Sequence, residues 1–429
     1  MHFLLGVGRR GQHVRKQSRY ETMVQQIRDR NIWLVNATIL TVGIAYGMGI
    51  SVITPFLLQH GYDALDIRAL AVVWGMGIIL FSLPMDALIR RFSARRMLVV
   101  SIVMYGAAVA LFPHAVEDFA LAGAVRFLDG MGSVGIWICC ETIVLSRAEA
   151  AHKALVTTLY AIATALGYVI GSPLAKGVVD LSSWEAAFHV AGVIALAIAV
   201  VVFLRLDPDR EPEVTSRGEP AAQSSHWQIL WRIKTSCLGT FAYGYFQVSM
   251  VLFLPAYLIA EKGTPGSDTI LIPGFFALGM LLFTIPAGRL GDRFGHLLVM
   301  RVLASLGTFT ILGFIFLPSF WMMCGAAVCA GATLAAISPI SLALQGVIVD
   351  PRNYSRSNAI YNVFYAGGMV IGPIVSSAIL ARHGGANMLY HLGAMWAVFV
   401  AFTVVFWRDD PATANEPGLP PPFAPSSQG

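Results

Sequence analysis

The chain has 429 residues, 56% of them hydrophobic and only 12% charged, against a soluble-protein norm of roughly 25% charged. That balance excludes an ordinary soluble domain, and the net charge of +5 is too thinly spread along an apolar chain to suggest a nucleic-acid surface. Apolar stretches of about 20 residues recur along nearly the whole length, the mark of membrane-spanning helices, whereas barrel strands would alternate apolar and polar residues over about 10 positions.

The elements run as follows. Residues 1–31 form a basic tail. Its "HFLLGVG" is shorter than the apolar region of a signal peptide, so none is expected. Its "RRGQHVRKQSRY" reads as an orientation signal or lipid-headgroup contact rather than a nucleic-acid site. Six spans are predicted at 32–58, 67–89, 97–115, 119–146, 154–178 and 186–206, making an N-terminal bundle over 32–206. A polar stretch, "DPDREPEVTSRGEPAAQSSHWQILWRIK" (207–234), reads as a linker. Six more spans follow at 236–260, 268–287, 297–317, 320–349, 354–381 and 387–407, a C-terminal bundle over 235–407. The proline-rich 408–429 cannot pack and is expected to be disordered.

If the N-terminus is cytoplasmic, 24 of the 29 basic residues lie on the cytoplasmic side. The far side holds Arg68, Lys176, Lys262 and Arg382, and Arg126 lies inside a span. That bias predicts both termini inside. The five cysteines, Cys139, Cys140, Cys237, Cys324 and Cys329, fall in apolar spans, match no zinc spacing and read as small buried hydrophobes.

The two halves echo each other. "LFSLPMDALIRRF" (80–92) aligns with "LFTIPAGRLGDRF" (282–294) at an offset of 202, and "YAIATALGYVIG" (160–171) aligns with "YNVFYAGGMVIG" (361–372) at 201. His189 and His391 are again 202 apart. Leucine matches are cheap in a greasy chain; matched Pro, Arg, Tyr, Gly and His are not. The predicted fold is therefore an all-α polytopic membrane protein, twelve transmembrane helices in two pseudo-symmetric six-helix bundles. Parallel repeats of this kind place a binding site between the halves near the midplane.

Several motifs carry a family resemblance. "GRLGDRFGH" (288–296) resembles the loop signature G-x-L-x-D-R-x-G-R-K of the major facilitator superfamily through Gly288, Leu290, Asp292, Arg293 and Gly295, departing from it at His296 and Leu297. "RFLDGMG" (126–132) resembles R-x-x-Q-G-x-G in the fourth helix of that family's proton-coupled drug exporters, with Asp129 in place of the amide. "GYVIGSP" (167–173) resembles their fifth-helix glycine–proline signature with Ser172 inserted, and "SWEAAF" resembles W-R-x-x-F with Glu185 for arginine. The likeness covers residues 30–408.

The charged 288–296 stretch reads as a cytoplasmic hairpin and gate. Gly288 leaves room for a neighbouring backbone, Asp292 is placed to accept from N–H groups at another helix end, and Arg293 is placed to pair with an acid such as Asp350. The first half keeps only Arg91 of this pattern, with Glu141 as the expected partner. Arg126 and Asp129, three apart on one helical face, can pair; each would cost about 2.5–3.5 kcal/mol against lipid. They are therefore expected at the cavity, as a proton-coupling pair or as a permanent brace. Polar stripes suggest a substrate cavity formed by Asn36, Tyr160, Thr164, Tyr243, Gln247, Gln345, Asn358, Tyr361, Asn362 and Tyr365, suited to an amphipathic or weakly polar solute. Gly167/Gly171 and Gly368/Gly372 read as close-packing seams.

The resemblance implies a secondary transporter of the plasma (inner) membrane, an efflux antiporter exchanging a small organic or drug-like molecule for protons by alternating access. An uptake symporter or facilitator for a sugar, organic acid or other nutrient is the main alternative, and a non-transporting membrane receptor belongs to another class. No phosphate loop, metal cluster or nucleophilic triad is legible, so no enzyme and no cofactor is expected. The expected partners are the solute, protons and the bilayer, without nucleic acid, the chain acting as a monomer.

Overall fold

The computed structural model of the chain describes residues 30–147, 153–207, 225–349 and 353–410. Twelve helices there are long and apolar enough to cross a membrane. In the N-terminal half they are α1 (Arg30–Gln59), α2 (Ala64–Phe92), α3 (Ala94–Ala115), α4 (Phe119–Arg147), α5 (Lys153–Leu181) and α6 (Trp184–Arg205). The C-terminal half supplies α7 (His226–Lys262), α8 (Ile272–Phe294), α9 (His296–Gly313), α10 (Phe320–Ile348), α11 (Tyr354–His383) and α12 (Gly385–Val405), with a one-turn helix at Gly266–Thr269 before α8. Hydrocarbon offers the backbone no hydrogen bonds, so each crossing must satisfy its own. The α1–α2 connection is short and capped: Asp63 opens α2 with a capping box, its Oδ1 accepting from the Leu65 and Asp66 amides at 2.7 and 2.9 Å.

The chain order alternates direction, so the starts of α1 and α7 and the ends of α6 and α12 share one face, here the terminal face; the other is the distal face. Helices α1–α6 pack as one bundle and α7–α12 as another, meeting through α5 against α8, α2 against α11 and α1 against α7.

The repeat holds down to single backbone contacts. A Cβ built on Gly130 of α4 would meet the Trp74 carbonyl and the Ile78 amide of α2; on Gly331 of α10 it would meet the Phe276 carbonyl and the Met280 amide of α8. The α1–α5 seam works the same way: a Cβ on Gly171 would lie 2.9 Å from Gly47 Cα and from the Met48 amide, and in the α7–α11 seam one on Gly372 would lie 2.8 Å from Tyr245 Cα. These seams are the close packing expected of the paired glycines. Helix prolines recur too, Pro55, Pro84 and Pro173 in α1, α2 and α5 answering Pro255, Pro286 and Pro373 in α7, α8 and α11.

Each bundle is also clasped at its terminal face by an aspartate just beyond its last helix. Asp207 Oδ2 accepts from Asn31 Nδ2 at 2.8 Å, and the Asp207 amide donates to Asn31 Oδ1 at 3.1 Å. Its counterpart Asp409 accepts from Lys234 Nζ at 2.7 Å and from Thr235 Oγ1 at 2.6 Å. The hydrogen bond from Asn31, with Arg30 beside it, holds the Asp207 carboxyl below the usual carboxylate range. The clasp is therefore complete at neutral pH and lost only as pH falls through that lowered value. Asp410 Oδ2 accepts from the Leu297 amide at 2.9 Å and satisfies the first turn of α9.

Two boundaries differ from the sequence expectation. The stretch 226–234 belongs to α7 and not to a linker, because Ile229 and Ile233 fall one helical turn apart and bury against Cys237 and Val349, leaving Trp227 and Trp231 on the outer face. Residues 408–410 are folded onto the bundle by Asp409 and Asp410 rather than starting a free tail. The remainder of the tails and of the linker lies outside the described residues.

Replacing Gly171 with leucine should disrupt the α1–α5 seam at a cost of about 1–3 kcal/mol or more, read as a lower melting temperature and loss of a monodisperse gel-filtration peak. Gly177→Leu in the same helix, where a Cβ meets nothing within 4 Å, should leave both unchanged.

Candidate functional site: a central cavity

Between the bundles lies a cavity of about 890 Å³ walled by α1–α8 and α11. Its size suits a drug-sized solute. The N-terminal wall carries its charge. Arg126 and Asp129, one helical turn apart on α4, form an ion pair with side chains only 14% and 8% exposed. Ser133 Oγ donates to Asp129 Oδ1 at 3.1 Å, one further turn along, and the guanidinium lies 5.4 Å from the centre of the Trp74 ring. Arg126 Nε has no hydrogen-bond partner among the described residues. The pair is held rigidly because Gly130 brings α4 against α2 and Gly132 brings it against Tyr105 of α3.

Beside the pair stands an aromatic cluster drawn from four helices. Tyr46 packs at 6.2 Å on Tyr105, at 5.6 Å edge-on to Trp137 and at 5.3 Å to Tyr168. Across the cavity Tyr365 donates to Gln247 Oε1 at 2.9 Å. Apolar side chains such as Val251, Phe276, Met280 and Met369 complete the C-terminal wall. Offsets from the glycine contacts place Ala327 and Ala330 where Arg126 and Asp129 stand in the first half, so that wall has no matching charges.

Of the residues expected at the cavity, Arg126, Asp129, Tyr160, Thr164, Gln247, Asn362 and Tyr365 line it. Five others do not. Asn36 donates back to the Ile32 carbonyl at 2.9 Å and is buried in its bundle. Tyr243 stacks behind Tyr365 at 6.1 Å. Gln345 donates to Ser357 Oγ at 3.0 Å and to Asn358 Oδ1 at 2.6 Å, while the Tyr361 hydroxyl donates to the Ser338 carbonyl at 2.8 Å. These last residues stitch α10 to α11. A polar stripe at membrane depth needs partners, and a neighbouring helix supplies them as well as a cavity does.

The expected gate residues are also arranged differently. Among the described residues a Cβ on Gly288 would meet nothing within 4 Å, so no described helix leans on it. Asp292 is exposed and pairs with His296 Nε2 at 3.3 Å, one turn on, rather than capping another helix. Arg293 lies over Phe294 and Arg91 over Phe92, ring distances 5.1 and 5.3 Å. Asp350 lies outside the described residues. Glu141 does not meet Arg91: its exposed side chain opens onto the cavity. The spacing Asp129, Ser133, Trp137, Glu141 puts it on the cavity face of α4, a four-residue stripe legible in the sequence.

Among the described residues, the ion pair that bridges the bundles lies at the distal face. Lys176 of α5 reaches Asp180 one turn on and Asp268 of the one-turn helix in the other half, both at 2.9 Å. Trp184 lies against Gly266, and Ser172 against Gly274. Toward the terminal face Glu141 and Asn362 are exposed along the cavity wall. Among the described residues the cavity is thus shut distally and open toward the terminal face.

The family profile described as Major Facilitator Superfamily matches residues 37–271 and 236–428. Among curated relatives, the chain is 23% identical over 368 residues to the uncharacterized MFS-type transporter YfkF of Bacillus subtilis (strain 168), covering 83% of this chain and 92% of that one. It is 24% identical over 296 residues to the uncharacterized MFS-type transporter YcaD of Escherichia fergusonii, covering 68% and 73%. Its fold is similar to that of the nucleoside transporter NupG, with TM-score 0.68 and 14% identity over 88% of this chain and 97% of that one. It is also similar to a bacterial homolog of the human lysosomal transporter Spinster in an inward-facing and occupied conformation, with TM-score 0.64, 14% identity and coverage of 88% and 94%.

Removing Asp129 alone leaves the Arg126 charge buried and unpaired, which should cost about 3–5 kcal/mol. Asp129→Leu should therefore lower the melting temperature strongly, and Arg126→Leu/Asp129→Leu should recover most of the loss in the same thermal scan.

Proposed function

Because the chain belongs to the Major Facilitator Superfamily it is an integral membrane transporter, and we propose that it exports a small organic solute in exchange for protons by alternating access. The observation that carries this reading is a cavity-wall ion pair, Arg126–Asp129, set in a cavity that, among the described residues, is closed at one face and open at the other.

The terminal face is assigned to the cytoplasm, since the basic residues concentrate there, in a plasma (inner) membrane. The cavity then faces the cytoplasm, as a state that loads an outgoing solute must. A solute enters past Glu141 and Asn362. Proton release from Asp129 restores the pair with Arg126; proton arrival removes the charge that holds Arg126 and frees the guanidinium to swing toward the cavity. One element thus has two arrangements that proton and solute bias in opposite senses, which is what coupling requires.

Rocking of the bundles opens the distal face by breaking Lys176–Asp268 and closes the terminal face, bringing the α8–α9 turn with Asp292 and Arg293 against the opposite bundle. One chain encloses the whole cavity, so a monomer suffices. The fourth-helix likeness to proton-coupled exporters supports the outward direction.

Two measurements test this. In inside-out vesicles acidified inside, labelled solute should accumulate only when the proton gradient is imposed, and Asp129→Asn should abolish that accumulation while leaving equilibrium solute binding within about threefold. Accumulation in right-side-out vesicles driven by an inward proton gradient would make the protein an uptake symporter instead. Separately, Lys176→Ala should widen the distance distribution between nitroxides on Leu181→Cys and Ser267→Cys, in a Cys329→Ser background; unchanged distances would remove the distal clamp from the mechanism.

A further inference from the structure

At the distal face two histidines from different helices meet. His114 stands in the last turn of α3 and His189 in the second turn of α6. Their Nε2 atoms are 3.2 Å apart, while the ring centres are 5.2 Å apart. The two nitrogens therefore lie between the rings and face one another. Solvent reaches the pair, since His114 is exposed and His189 only half-buried. The approach is fixed by backbone: a Cβ on Gly192 of α6 would lie 2.6 Å from Ala110 Cβ and 2.8 Å from the Gly106 carbonyl oxygen of α3. Both contacts fall within about two turns of the histidines, so the rings need little ordering to meet.

A hydrogen bond is one use of this geometry, one ring donating from Nε2 and the other accepting. Were that bond a packing need of the bundle, the repeat should keep it, as it keeps the glycine seams and the aspartate clasps. It does not. In the second half Gly393 meets Leu312 as Gly192 meets Ala110, and the same 202-residue offset puts Phe316 where His114 stands. His391, the match of His189, turns its Nε2 to the Tyr245 hydroxyl at 2.6 Å instead.

The other use is metal coordination. With both rings protonated at Nδ1, both Nε2 lone pairs point into the gap. An ion held by each nitrogen at about 2.0–2.1 Å in near-tetrahedral geometry sets them roughly 3.3 Å apart, close to the separation found. Glu185 stands one turn before His189 on α6, within electrostatic reach of it and of His60, and its charge favours a divalent cation there. No group of three His, Cys, Asp or Glu side chains among the described residues could close around an ion, so water would take the remaining positions. Imidazole ligands suit zinc, nickel and copper ions, whereas magnesium and calcium prefer oxygen.

We propose that His114 and His189 form a two-histidine site for a divalent transition-metal ion, which bridges α3 and α6 at the distal rim of the N-terminal bundle. The site stands apart from the transport reading, since it needs neither flux nor a particular solute.

The test is equilibrium dialysis of radiolabelled Zn²⁺ against the purified full-length protein in nanodiscs, without a polyhistidine tag. The wild type should bind one equivalent more than His114→Asn or His189→Asn, with Kd below about 20 μM. His226→Asn, at the terminal face, should keep that equivalent; Cu²⁺ should displace it, and millimolar Mg²⁺ should not. A measurement on the wild type covers the case in which the variants fail to fold. Saturating Zn²⁺ should slow diethylpyrocarbonate modification of His114 and His189, read by mass spectrometry, by about fivefold or more, and leave His226 unaffected. Equal zinc equivalents in the wild type and the folded variants, or modification of both histidines at a rate that zinc does not change, would overturn the proposal.

Discussion

Everything in this fold answers to one constraint: at membrane depth, a backbone polar group or a charge must find its partner inside the protein. Thr38, Thr142 and Thr284 donate to the carbonyl four residues back rather than to anything outside their helix. The helices close up through glycine until backbone meets backbone, since in lipid such packing replaces the hydrophobic drive that water supplies to soluble bundles. The charge that remains inside is arranged around the cavity, with Arg126 given both Asp129 and a Trp74 face.

Duplication and divergence are both visible in this frame. The glycine crossings, the helix prolines and the aspartate clasps recur in each half because each half must solve the same packing problem. The cavity chemistry does not recur. Alanines stand in α10 where α4 carries Arg126 and Asp129, and α10 loosens into a π turn at Gly331–Ala335. One bundle thus carries the charge and the other offers an apolar, aromatic counterface. Under the alternating access proposed above, rocking two such halves would move a polarised site between faces without asking the second half to desolvate charges of its own.

The conformation also explains the state of the gate. Among the described residues the charged partner of Asp292 is His296, one turn on in the chain. The load is carried at the other end by Lys176, which joins α5 to the helix turn before α8. Under the alternating access proposed above, the family-like motif and the bridging lysine would belong to opposite ends of one motion, with only the lysine engaged here.

Much of this was legible before any coordinates. Hydrophobic stretches of sufficient length mark spans because burial in lipid is local and additive along a helix, so all twelve were readable, as were the tandem repeat, the glycine seams and the pairing of Arg126 with Asp129 three residues on. The start of α7 was hidden by its polar composition, although Ile229, Ile233 and Cys237 already carried a helical period. Tertiary structure alone decided which polar face looks where. Gln345 and Tyr361 turned to a neighbouring helix, Glu141 turned to the cavity, and Lys176 found Asp268 some ninety residues away. Such choices depend on how helices distant in the chain come together, and helical periodicity reports only that a face is polar, never what stands opposite it.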